Sequence, residues 1–171
     1  MYLIRLVHHT GIRYTAAMIS ILFICHGNIC RSPMAEFIFR NMLVQRGLTE
    51  HFSCASAATS REEIGSDIHD GTRCLLRYHK IPFTSRCARQ VRPDDYADYD
   101  LLIGMDRANC SNTLRIVGSD PLQKIHALLD YTEHPREIAD PWYTGNFELT
   151  YADIVEGCTA LLNTLLDRQK I

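Results

Sequence analysis

Hydrophobic and polar positions along this chain follow two periods, and the switches between them mark out its elements. Ile19-Ser20-Ile21-Leu22-Phe23-Ile24 is short, β-branched and almost wholly apolar, the pattern of a strand covered on both faces in a parallel sheet. Gly27, Asn28 and Pro33 end that run. Pro33 suits the first turn of a helix, and Met34, Phe37, Ile38 and Met42 then share one helical face as far as Gly47. Further apolar runs predict strands at 52–57, 81–83, 101–105 and 125–129, with helices at about 70–79 and 106–116 between them. Near the C-terminus Tyr151, Ile154, Val155, Cys158, Leu161, Leu162, Leu165 and Leu166 recur at three and four, which predicts a helix whose stripe packs on the sheet. Strand and helix alternate, so the class is α/β with right-handed crossovers.

Composition narrows the picture. A chain of 171 residues with 46% hydrophobic and 22% charged positions has the balance of one folded domain. A formal charge of -2 supplies no global basic field, which argues against nucleic acid and anionic membranes as partners. The longest strongly apolar stretch, residues 18–25, is far shorter than the roughly 20 residues a membrane-spanning helix needs. The 7 cysteines (25, 30, 54, 74, 87, 110 and 158) are odd in number, contain no C-x-x-C pair and match no structural zinc spacing. Free thiols in a reducing cytoplasm follow, with no metal expected. Residues 1–17 stand apart: Arg5 and Arg13 are their only full charges, and the first acidic residue is Glu36. They read as an alternative start or a non-native leader, ahead of a targeting role, with Met18 as the functional start and the domain spanning 18–171.

The chemistry is concentrated in Cys25-His26-Gly27-Asn28-Ile29-Cys30-Arg31-Ser32-Pro33. Cys with Arg six places on is weak alone, since this composition yields about 0.6 such pairs by chance. Context strengthens it. The segment leaves a buried strand and enters a helix, so successive backbone N–H groups of residues 26–31 and the positive helix end converge on one concavity fit for a tetrahedral oxyanion. Gly27 and Asn28 tolerate a left-handed backbone, and Arg31 can grip two phosphate oxygens in a fork. The same donors favour an ionised, nucleophilic Cys25, with Ser32 able to hydrogen-bond the sulfur as it leaves.

CHGNICRSPMAE after a hydrophobic strand, together with Asp140-Pro141-Trp142-Tyr143 near the C-terminus, resembles the low-molecular-weight protein tyrosine phosphatases. The resemblance runs from about Met18 to the end and takes in residues 56–60, 88–90 and Met105-Asp106. It implies a three-layer sandwich with a four-stranded parallel sheet in the order 2-1-3-4 and a phosphate-binding loop after the first strand. It further implies metal- and cofactor-free hydrolysis of phosphotyrosine through a phosphocysteine on Cys25, with Asp140 as proton donor and then base. Asn28 and Ser56 would brace the loop, and Cys30 would be a reversible redox partner of Cys25. The partners implied are a tyrosine-phosphorylated protein, a tyrosine kinase among them, and inorganic phosphate as product. Physics agrees in part: a phenolate leaves more readily with a positioned acid, Pro141 biases Asp140 toward extended backbone, and Trp142 and Tyr143 can wall a slot for an aromatic ring.

Blander readings and rivals bear on particular residues. Alone, Asp140 would be an ordinary Asp-Pro turn; its pairing with the Cys25 loop reverses that. The basic excess from Gly71 to Pro93 reads as a solvated face, and His26, His69, His79, His126 and His134 show no ligand spacing. Arg61-Glu62-Glu63 replaces the aromatic wall of animal members, which looks bacterial and gives the pocket, with Glu62 in it, a polar rim. Related arginine phosphatases carry Thr where Ile29 stands; the apolar Ile29 favours an aryl phosphate at the pocket. A thioredoxin-coupled arsenate reductase shares the fold but needs a close cysteine relay, and Cys74 and Cys87 are far apart in sequence. A phosphate-binding module without catalysis is the remaining rival, against which Cys25, Arg31 and Asp140 together argue.

Overall fold

β1 (Ile19–Cys25) is the axis of the molecule. In the computed structural model, which describes residues 18–169, it pairs in parallel with β2 (Phe52–Ala58) on one side and β3 (Leu101–Gly104) on the other. β4 (Ile125–Ala127) adds to β3, so the order is β2-β1-β3-β4 and every pair is parallel. The leader reading for 1–17 lies outside the described residues. Successive side chains of a strand face opposite ways, and β1 divides accordingly: Ile21, Phe23 and Cys25 enter the larger core, while Leu22 and Ile24 enter a smaller one with Ala57, Val91 and Leu102. Two covered faces are why its sequence is nearly unbroken apolar.

The helices are α1 (Arg31–Arg46), α2 (Asp70–Tyr78), α3 (Asp95–Asp98), α4 (Arg107–Val117), α5 (Pro141–Thr144) and α6 (Phe147–Gln169), with a 3-10 turn at Leu128–Tyr131. The chain moves from β1 outward to β2, then back across to β3, so the crossover direction reverses between β1 and β3. Their C-terminal ends therefore diverge into a crevice, where open α/β sheets bind ligands. The Cys25 loop stands at one lip and Met105-Asp106 at the other. No helix among the described residues is long and apolar enough to cross a membrane.

Several expectations change. The apolar run 81–83 is no strand: Ile81 N–H donates to the Leu76 carbonyl (2.8 Å), and Phe83 packs edge-on against Phe37 at 6.1 Å. Its apolar residues face α1 and α2, so the periodicity of a strand is mimicked by a strap. The stripe of α6 joins Ile21 and Phe23 of β1 and Ile103 of β3 in the larger core, as expected, and the helix also lies against α1 and the 3-10 turn. α1 is buried all round over Arg31–Phe39, so its apolar face understates its burial. The four-residue α3 and α5 carry too little periodicity to be seen; α5 nonetheless starts by local rules, with Asp140 capping through Trp142 N–H (3.1 Å) and proline at the first turn.

Candidate active site

Cys25 ends β1 at 3% exposure. The chain then turns through Asn28, which adopts the left-handed conformation at φ 59°, one that asparagine tolerates better than most residues. That turn aims Asn28 N–H at Cys25 Sγ (3.2 Å). Gly27, expected to share the left-handed backbone, does not have it. A Cβ there would come 3.3 Å from Glu63 Cγ, a tight approach to which the Glu63 side chain would have to yield.

The side chain of Asn28 holds the turn from behind. Nδ2 donates to Ser32 Oγ (2.8 Å) and Ser56 Oγ (2.9 Å), and Ser32 Oγ lies 3.0 Å from Cys25 Sγ. Ser56 in turn donates to the buried carboxylate of Glu36 (2.6 Å). Arg86 closes the ring from the other side, giving hydrogen bonds to Asn28 Oδ1 (2.8 Å), Asn28 O (3.2 Å) and Ser56 O (3.3 Å). Sequence reasoning placed Asn28, Ser32 and Ser56 here but missed Arg86 and Glu36. Arg86 lay in a basic stretch read as a solvated face, and no local spacing announces a partner 58 residues away. The same stretch also loses Arg73 and Arg89, which pair with Asp67 (3.1 Å) and Asp95 (2.8 Å). Arg86→Ala should lower stability by about 2 kcal/mol, the scale of hydrogen bonds to a charged group, and weaken phosphate binding. Urea unfolding and calorimetry would read both; an unchanged midpoint and Kd would remove Arg86 from the brace.

Arg31 opens α1 and is 2% exposed. Nη1 donates to Asp106 Oδ2 (2.7 Å) and to the Ile138 carbonyl (3.0 Å), and Nη2 to Asp140 Oδ2. Burial works against its charge, but Cys25, Asp140 and Asp106 outweigh it and raise its pKa. One guanidinium thus ties the loop after β1 to the loop after β3 and to the segment that starts α5. Asp106 also caps α4 through Asn109 N–H (2.6 Å), so its carboxylate is fixed from both sides.

A cleft opens over Cys25. Its floor is Cys25, Gly27, Cys30 and Arg31; Ile29, Trp142 and Tyr143 supply apolar walls, and His26, Glu62, Glu63 and Asp140 complete the rim. Trp142 rests edge-on against His69 at 5.6 Å, and that imidazole stacks on Phe147 at 5.1 Å. His26 Nε2 meets Glu62 Oε2 at 3.0 Å. Every residue expected at the loop or pocket is therefore in the cleft or directly behind it; Glu63 was not anticipated. Cys30 is buried, and burial, then the neighbouring Cys25, pushes its thiol up to about 12.

Comparison with known proteins agrees with this geometry. A profile of the family described as low molecular weight phosphotyrosine protein phosphatase matches residues 20–170. Low molecular weight protein-tyrosine-phosphatase YfkJ of Bacillus subtilis is 40% identical over 156 residues, covering 90% of this chain and 100% of that protein. Its crystal structure superposes with a TM-score of 0.86 over 91% of this chain and 99% of that one. PtpA of Staphylococcus saprophyticus is 33% identical over 87% of this chain and 95% of its own length. The crystal structure of SP-PTP from Streptococcus pyogenes, 34% identical, gives a TM-score of 0.78 over 86% of this chain and 93% of that one. The chain belongs to the low molecular weight phosphotyrosine protein phosphatase family.

Proposed function

We propose that this chain hydrolyses phosphotyrosine in proteins in two displacements at phosphorus, with Cys25 as nucleophile. The observation that carries the reading is the placement of Cys25 Sγ on the floor of an aromatic-walled cleft, with Arg31 beside it and Asp140 on the rim. Cys25 sulfur forms the bond to phosphorus as the bond to the phenolic oxygen breaks, and Asp140 gives its proton to that oxygen. Arg31 and the loop N–H groups, from His26 to Arg31, hold the three equatorial oxygens, where charge spreads in a loose transition state. Asp140 then takes a proton from water as the water oxygen bonds phosphorus and the sulfur departs. Asn28 N–H and the Ser32 hydroxyl, at 3.2 and 3.0 Å, receive the returning thiolate. Trp142, Tyr143 and Ile29 grip the ring of the substrate, and Asn28 and Ser56 keep the loop in shape.

The partners are a tyrosine-phosphorylated protein, a kinase that carries such phosphates among them, and inorganic phosphate as product. Cys30 serves as a redox partner that spares Cys25 from over-oxidation, a role for a reducing, cytoplasmic setting in which the 7 free cysteines persist.

The test is a series of aryl phosphates and a phosphotyrosine peptide, assayed with chelator present. Wild type should hydrolyse all of them. Asp140→Ala should slow poor leaving groups by about 10²–10⁴-fold, the range of general acid catalysis, and p-nitrophenyl phosphate much less. Equal slowing across the series would take the proton donor away from Asp140.

A further inference from the structure

The floor and the rim of the cleft have opposite charge. Arg31 is 2% exposed, and its Nε–H has no partner among the described residues, so the floor is built to receive an anion. The rim is acidic. Asp106 and Asp140 share Arg31, and Glu62 shares the His26 ring. The Glu63 carboxylate, on the same wall, has no hydrogen bond or ion pair among the described residues. Its stem lies over Gly27, with Cγ 3.3 Å and Cβ 3.8 Å from where a Cβ added to that glycine would sit. Nearby cations do not neutralise it. Arg86 and Arg89 are spent behind the loop on Asn28, Ser56 and Asp95, and Arg61 neither pairs with it nor lines the cleft.

A phosphotyrosine dianion must pass this rim to reach Arg31. Acidic neighbours in the substrate would add to the repulsion at Glu63, whereas a lysine or arginine beside the phosphotyrosine would remove it and gain a partner. We propose that Glu63, seconded by Glu62, makes the cleft select phosphotyrosine flanked by basic residues. This rests on the phosphatase reading and adds the class of substrate. An exposed ion pair is worth up to about five-fold in affinity, and attraction between the rim and a cationic segment adds to the association rate and fades with salt.

The experiment compares two phosphotyrosine peptides of equal length, one with lysines and one with glutamates on both sides of the phosphotyrosine. Wild type should prefer the lysine peptide by about ten-fold in kcat/KM at low salt, mostly through KM, and the ratio should shrink as salt is raised. Glu63→Gln should reduce the ratio and Glu63→Lys should bring it to unity or invert it, each referred to that variant's own rate on p-nitrophenyl phosphate. Equal kcat/KM for the two peptides in wild type, or an unaltered ratio in Glu63→Lys, overturns the selectivity and leaves the phosphatase reading intact. Failure of wild type to hydrolyse either peptide or p-nitrophenyl phosphate overturns both.

Discussion

Cys25→Ser should cut aryl phosphate turnover by on the order of 10⁴-fold or more, as loss of a covalent nucleophile does elsewhere, while phosphate binding and the unfolding midpoint stay close to wild type. The reason is the company the sulfur keeps. Its hydrogen-bonding neighbours are the Ser32 hydroxyl at 3.0 Å and Asn28 N–H at 3.2 Å. Both favour an anion, and neither is a base. A serine hydroxyl, far less acidic and less nucleophilic than a thiol, has no hydrogen-bonded base to hand its proton to. The loop that suits a thiolate is therefore useless to an alkoxide. Steady-state kinetics with calorimetric phosphate titration of the same variant would separate chemistry from binding. Residual turnover within 100-fold of wild type would mean that the nucleophile is another group.

Arg31 is expected to show the second largest effect, and two variants divide its roles. Arg31→Lys keeps the charge but loses the planar fork that fits two phosphate oxygens, and kcat/KM should fall by about 10³-fold or more, the scale of a transition-state arginine in phosphoryl transfer. Arg31→Ala should in addition destabilise the fold by about 3 kcal/mol or more, because removing one member of a buried ion pair strands the rest. Asp106 and Asp140, each with a fifth or less of its side chain in solvent, would face one another with no cation between them, and the Ile138 carbonyl would lose its donor. Denaturant unfolding would show the midpoint shift. A lysine variant within ten-fold of wild type would show that the fork is not used.

Local patterns told much of this in advance, and their reach has a physical limit. β1 was legible because a strand covered on both faces needs apolar residues at every position, and the loop after it because glycine, asparagine and a first-turn proline act through their own backbone. The Asp140 cap and Pro141 start were visible for the same reason. Arg86 and Asp106 were not assigned their roles, since what each does depends on chain brought close by the crossover between β2 and β3. The 81–83 strap misled because a half-buried segment pressed on two helices has the apolarity of a short strand and differs only in lacking a sheet neighbour. α1 misled in degree: burial on all sides over its first nine residues puts Arg31, Ser32 and Glu36 inside, where a helical wheel would leave polar residues outside.

Arg31 also bears on how the enzyme lets go. Its terminal nitrogens donate to Asp106 and Asp140, so an oxyanion at Arg31 competes with a carboxylate that the chain itself supplies. That rivalry costs substrate and product alike some affinity. For product it is an advantage, because Asp140, once it has shed the proton taken from water, can reclaim the guanidinium. The proposed proton donor is in this sense a built-in displacing ligand.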